Sequence, residues 1–264
     1  MPEELRRDDI NRSFWRPTSA AAAAITVVAL PGFLIGAYAP EIKEDLSFGD
    51  TELGALLTSG YLISSIVMST AGGIADRRGP RLVLRIGVII ASLAAFLTGL
   101  ISNTYLLLLI CLGLNRVAEG IIQPATNTLI STGVAPTRQG IAMATKQSAV
   151  PFSTALAGFA VPTLGLFFDW RGTFLLVACL AVPTWLLIPN IKVSETKEFS
   201  SRREMWGSRH LQIIAVAGAF SAAAVVTVAG FLTTSAKNAG YSESSAGLIL
   251  GLGGVVMIAA RLSW

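Results

Sequence analysis

Apolar residues in this chain gather into long runs at about 18–40, 51–75, 82–102, 104–132, 139–168, 172–189, 211–236 and 243–264. That pattern constrains the fold more than any other feature. A bilayer's hydrocarbon core is roughly 30 Å thick and takes about 20 helical residues to cross, and within it backbone groups must be satisfied internally. The chain therefore reads as an all-α membrane protein with a helix in each run. Only 14% of its residues are charged, against 53% hydrophobic, where soluble domains carry about a quarter charged residues. Pro31, Pro124, Pro151, Pro162 and Pro183 lie inside runs and predict kinks, which neighbouring helices make tolerable in a membrane. Ala37-Tyr38-Ala39 has the small-x-small pattern of a signal-peptide cleavage site. The length of the first run, with others following, makes it a retained span.

The net charge of +4 does not indicate a nucleic-acid partner, because the basic residues are not collected on one polar face. They sit in the short segments between runs and alternate in density. Arg6, Arg7, Arg12 and Arg16 precede the first run; Arg77, Arg78, Arg81 and Arg85 follow the second; Arg138 follows the fourth; Lys192, Lys197, Arg202, Arg203 and Arg209 follow the sixth. The opposite connections hold only Lys43, Arg171 and Lys237. Because short-loop Lys and Arg stay on the cytoplasmic side, the sequence predicts a multi-pass protein of the cytoplasmic (inner) membrane with a cytoplasmic N-terminus.

The longest polar interval, 191–210, separates six runs from two. It divides the chain into an N-terminal six-helix bundle at 1–190, a cytoplasmic linker at 191–210, and the start of a second bundle at 211–264. His210, the sole histidine, stands where a helix resumes and reads as solvated or capping. A repeat supports two related halves: Phe48, Asp50 and Gly54 match Tyr241, Glu243 and Gly247, each pair 193 positions apart. Repeated halves flanking a substrate path are a common transporter construction. Doubling the first half predicts about twelve helices in the intact protein, so the second bundle here is incomplete.

Between the second and third runs stands Gly72-Gly73-Ile74-Ala75-Asp76-Arg77-Arg78-Gly79-Pro80-Arg81. Glycines permit a tight turn and close helix approach, and Asp76 can pair with arginines or sit near a helix N-terminus. An ordinary basic loop accounts for the arginines but not for the aspartate and glycines at this spacing. The segment resembles the G-x-x-x-D-R-x-G-x-R/K loop of the major facilitator superfamily. Arg116-Val117-Ala118-Glu119-Gly120 is similar to that family's R-x-x-x-G motif in the fourth helix, and Asp169-Trp170-Arg171 resembles a recurrent pattern before the sixth. The resemblance implies a major-facilitator-type fold and a conformational latch at Gly72, Asp76, Arg77, Gly79 and Arg81. The fifth run departs from the family's antiporter signature, carrying only Ala149-Val150-Pro151 and then Gly158. Its Lys-Gln stretch loosely resembles bacterial cyanate and small-carboxylate permeases.

An ion inside the membrane costs at least about 2.5–3.5 kcal/mol and persists where it faces a cavity or a partner. Arg116 and Glu119 share a helix face and can neutralise each other as a structural pair. Alternatively, as the resemblance implies, Arg116 contacts substrate or couples protons with Glu119 as the protonatable partner. Lys146 has no acid near it in sequence; it either snorkels to the surface or joins Arg116 in a positive cavity. Asn115, Gln123 and Gln147 add hydrogen-bonding groups to that pathway. Arg261 is left unassigned. Gly251-Leu252-Gly253-Gly254 lacks the third glycine and the strand context of a dinucleotide loop, and Cys111 and Cys179 lack metal-ligand spacing. No metal, cofactor or enzyme chemistry is expected.

The expected function is secondary active transport by alternating access, coupled to protons and carrying a small anion. The alternatives are a drug or metabolite exporter of the same superfamily, and a non-transporting membrane sensor or scaffold.

Overall fold

The structure, a computed structural model, describes residues 3–190 and 209–262. All its regular elements among those residues are helical. The longer ones are α1 (Glu3–Ala37), α3 (Asp50–Arg78), α4 (Pro80–Ile101), α5 (Tyr105–Gly133), α6 (Gln139–Thr163), α9 (Arg209–Asn238) and α10 (Glu243–Leu262). Short α2 (Ala39–Leu46) forms the corner after α1, while α7 (Trp170–Cys179) and α8 (Ala181–Leu187) together make the sixth span. Eight candidate spans of sufficient length and apolarity result, matching the runs read from sequence. The 191–208 part of the expected linker lies outside the described residues, and Arg209 and exposed His210 open α9.

The boundaries differ from the sequence reading where polar caps or prolines intervene. The first candidate span, Phe14–Ala37, starts earlier than expected. Its helix stops at Tyr38, whose hydroxyl reaches the Ala160 carbonyl and Thr173 Oγ1, each at 3.2 Å. The Ala37-Tyr38-Ala39 segment is thus an internal corner buried against α6 and α7. The fifth span ends its α-helix at Thr163 and closes with a 3₁₀ turn, Leu164–Leu166. The sixth breaks at Leu180, ahead of Pro183, which has no N–H to donate to the Cys179 carbonyl; Ser92 Oγ of α4 donates to the neighbouring Ala178 carbonyl at 2.9 Å. Pro31, Pro124 and Pro151 stay inside continuous helices.

The core comprises two layers. One, around Ile25, Leu84, Ile122 and Leu129, lies towards the α3–α4 turn; the other, around Leu34, Leu56, Trp170 and Phe174, lies towards the α1–α2 corner. Apolar side chains on the outside, such as Ile110, Leu100 and Leu186, are exposed, as expected of faces turned to lipid rather than water. The repeat recurs in space: α3 starts at Asp50 and α10 at Glu243, the pair related by 193 positions. Each start is tied to a lysine just before it, Lys43 to Asp50 and Lys237 to Glu243, both at 2.6 Å.

Candidate substrate and proton pathway

Arg116 is carried by α5 and is only 2% exposed, a placement that glycines on two other helices make feasible. A Cβ on Gly32 of α1 would overlap its Nη2, and one on Gly60 of α3 would stand 2.9 Å from its Cγ. The guanidinium therefore lies in a slot opened by two missing side chains, where helix backbones approach closely. Its Nη1 donates to Glu119 Oε2 at 2.6 Å, and the Tyr61 ring lies 4.4 Å from Cζ, within cation–π range. The charge is thus balanced within α5, and the aromatic face caps it. Gly120, one residue on, packs against the Ser64 carbonyl and Val67, which holds α5 in register on α3.

Tyr61 also lines a cavity of about 410 Å³ between α3 and α9, with Thr58, Ser65 and Thr227 as its hydroxyl-bearing walls. The remaining lining is apolar, including Leu57, Ala223 and Phe231. Arg116 sits directly behind one wall of the cleft separating the first bundle from α9.

Lys146 of α6 is 1% exposed and donates from Nζ to Asn127 Oδ1 of α5 at 2.6 Å. Among the described residues it makes no ion pair. Its amide partner explains how the buried ammonium is tolerated: a charge-assisted hydrogen bond replaces part of the lost hydration. Asn115 is also buried, but neither of its amide atoms finds a hydrogen bond among the described residues, and none joins it to Arg116, Glu119 or Lys146. Gln123 is half-buried and Gln147 exposed; the Gln147 carbonyl accepts from Arg261 Nη1 at 2.6 Å, which gives Arg261 a role in joining α6 to α10. By their partners the candidates divide into an Arg116–Glu119 pair and a Lys146–Asn127 pair.

In the last turn of α3, Asp76 Oδ1 accepts from Thr128 Oγ1 of α5 at 2.9 Å. Gly79 has φ +86°, joining α3 to α4 with no residue between them except itself. Gly72 lies in ordinary contact range of Pro124, Arg77 is exposed and Arg81 half-buried. Within these residues the motif ties α3 to α5 inside one bundle.

Contacts between the first bundle and α9–α10 follow small residues. A Cβ on Gly36 would stand 2.6 Å from the Ala229 carbonyl, and Thr233 Oγ1 donates to the Gly36 carbonyl. Gly36 and Ala229 are themselves 193 positions apart. Cβ atoms on Gly158 and Gly254 would stand 2.6 Å from the Gly247 carbonyl and 2.5 Å from Ala155 N, respectively, so α6 and α10 pack along much of their length. By contrast α9 is exposed from Arg209 to Val225. The α1–α9 contact is confined to the end near the α1–α2 corner. There Arg171 Nη1 pairs with Asp45 at 2.5 Å and Nη2 donates to the Ser102 carbonyl at 3.0 Å. Trp170 Nε1 donates to the same Asp45 carboxylate at 3.1 Å. Burial, the first cause, and nearby Glu243, Asp169 and Asp45 raise the Glu41 pKa, against a lowering hydrogen bond from the Trp170 backbone.

Sequence reading singled out Arg116, Glu119 and Lys146 because charge inside an apolar run is visible. It missed Tyr61, Asn127 and the glycine slot, whose significance depends on which helices are neighbours. Charge against apolar context could not have found them, although Gly32 and Gly60 stand out as glycines within long runs.

The fold defines a helical multi-pass membrane protein with eight candidate spans among the described residues. The chain belongs to the Major Facilitator Superfamily, whose family model matches residues 21–264. It is 28% identical over 141 residues to the probable L-galactonate transporter of Escherichia coli (strain K12), covering 53% of this chain and 31% of that protein. It is 27% identical over 145 residues to the hexuronate transporter of Bacillus subtilis (strain 168), covering 54% of this chain and 34% of that protein. The match thus spans about a third of each relative's length. A bacterial homolog of the human lysosomal transporter Spinster, solved inward-facing and unoccupied, superposes with a TM-score of 0.76 at 18% identity, over 92% of this chain and 60% of that one. That likeness concerns the fold.

Proposed function

We propose that the chain forms the first bundle and part of the second of a secondary active transporter that moves a small organic anion by alternating access, coupled to protons. The observation that carries this reading is Arg116: a buried guanidinium set in a glycine slot, balanced by Glu119 and capped by the tyrosine that lines the inter-bundle cleft. One cation in a low-dielectric site holds one carboxylate economically, because a second would stand as uncompensated charge. Protonation of Glu119 frees Arg116 for a substrate carboxylate, and proton release returns the internal pair and expels the substrate. Sugar-acid transport by the two relatives supports the anionic class. Lys146, held by Asn127, supplies a second positive charge to the substrate or its exit path.

The basic segments at Arg77, Arg78, Arg81 and Arg138 set the cytoplasmic side. The α1–α2 corner then faces outward, and with α1 and α9 joined there the arrangement is inward-facing. In the full-length protein the 72–81 loop serves as the cytoplasmic latch between bundles. The largely apolar lining of the α3–α9 cleft favours a second reading, export of a drug or other apolar metabolite.

The test is uptake of labelled small carboxylates into vesicles containing the full-length protein, with and without a proton gradient, beside Arg116→Ala, Glu119→Gln and Lys146→Ala. Gradient-stimulated uptake of a carboxylate, lost in Arg116→Ala and uncoupled from the gradient in Glu119→Gln, is the expected outcome. Uptake indifferent to both variants removes Arg116 from the pathway. Efflux of apolar cations instead establishes the exporter.

A further inference from the structure

A second cavity lies outside the pathway. It has a volume of about 770 Å³ and opens between α4 and the broken α7–α8 span, within the size range of roughly 300–1,000 Å³ usual for small-molecule sites. Its walls are apolar side chains such as Ile89, Phe96 and Val182, together with Ser92 at the Leu180 break. Several of them are exposed at their outer surfaces, Val182 by 66% and Phe96 by 46%, so the cavity is a groove facing the lipid.

One end of this groove is cationic. On α4 the residues Arg81, Arg85, Val88/Ile89, Ser92 and Phe96 recur at intervals of three or four and so share one helix face; all but the two arginines line the groove. The Arg85 guanidinium carbon lies 4.8 Å from the ring centroid of Trp185, itself a lining residue. Nε of both Arg81 and Arg85 is buried without a hydrogen-bond partner among the described residues. Neither arginine pairs with a carboxylate there. These positions lie within the first two turns of α4, where a membrane-spanning helix reaches the headgroup layer, and a tryptophan at the same level matches the interfacial belt.

We propose that this groove binds one anionic phospholipid, with its phosphate on Arg85 and one acyl chain along Ile89, Ser92 and Phe96 against the α7–α8 break. The charge of the headgroup complements two cations that have no carboxylate partner among the described residues, and the acyl chain covers the apolar floor continuing from them. An uncharged or zwitterionic lipid satisfies the floor but not the cations. The site is independent of the Arg116 centre and of any transported substrate.

Native mass spectrometry of the purified full-length protein, supplied with equal palmitoyl-oleoyl phosphatidylglycerol and phosphatidylcholine, tests the assignment. One phosphatidylglycerol is retained in preference to phosphatidylcholine by about fivefold, the scale of one basic side chain at an anionic headgroup. Arg85→Gln abolishes the preference and Arg85→Lys keeps it. Val182→Trp, at an exposed position where folding is not at stake, fills the groove and lowers retention of both lipids. Equal retention of the two lipids by the parent chain overturns the proposal. So does retention unchanged in Arg85→Gln or in Val182→Trp.

Discussion

Arg116 occupies the volume that a side chain on Gly32 would fill: its Cζ lies 3.0 Å from where the Gly32 Cβ would stand, and its Nη2 closer still. The arginine of α5 and the glycine of α1 therefore act as one unit. Gly32→Ala moves the guanidinium out of its slot. A misplacement of about 1 Å at a reacting or binding group can cost on the order of 10²-fold, and uptake by the full-length protein should fall by about that factor while membrane insertion persists. Gly253→Ala, where an added Cβ meets nothing within 4 Å, is the matched control. Equal uptake in both variants would break the link.

Packing of α10 on α6 depends on Gly158, so Gly158→Ala should cost about 1–3 kcal/mol, the usual penalty of overpacking. The thermal midpoint of the full-length protein should fall accordingly, while Gly253→Ala, which meets nothing within 4 Å, should leave it unchanged. Equal midpoints in the two variants would show that the interface yields without strain.

Lys146 is a buried cation with an amide partner and no carboxylate among the described residues. Lys146→Met removes the desolvation cost while retaining volume, and should raise stability by on the order of 1–3 kcal/mol. Transport should be lost in the same variant. If thermal stability falls instead, Lys146 is a structural tie between α5 and α6.

Glu41, at the α1–α2 corner, has a raised pKa, first because it is partly buried and then because Glu243, Asp169 and Asp45 surround it. An acid whose folded pKa exceeds its unfolded one contributes stability below the unfolded pKa and loses it as pH rises through the folded value. Stability should therefore decline as pH rises through and above the ordinary glutamate range. Glu41→Gln, which still offers an oxygen to the Trp170 N–H, should flatten that decline and melt higher than the parent at pH 7. Parallel pH profiles of the thermal midpoint would exclude Glu41 as the source.

In the motif that spans the end of α3 and the turn into α4 the glycines are not equivalent. Gly79 has φ +86°, and Gly79→Ala should cost about 1–3 kcal/mol of backbone strain. Gly73 is helical and meets nothing within 4 Å of an added Cβ, so Gly73→Ala should leave the thermal midpoint unchanged or raise it. Comparing the two midpoints decides whether the motif's glycines serve the turn or the packing.

The spans were legible in the sequence because lipid permits few alternatives to an apolar helix. The repeat was legible too, since Asp50 and Glu243 each begin a helix after a bend. The α7–α8 break was only half visible: Pro183 announced a disturbance, but its position at Leu180 depends on where the ladder fails and on Ser92 from α4. Arg116 and Glu119 could be paired from their spacing on one helix. That the pair lies under Tyr61, and that Lys146 turns to Asn127 rather than to Arg116, follows from helix neighbours that no single run encodes.

Gly36 and Ala229 meet, and the same 193 positions that relate the two halves relate these two residues. A contact between equivalent positions lies on the axis that relates the halves. In the proposed alternating-access cycle this contact seals the outer end, so it parts when the cleft beside the exposed Arg209–Val225 stretch of α9 shuts. The missing side chain at Gly36 lets that seal close down to backbone contact.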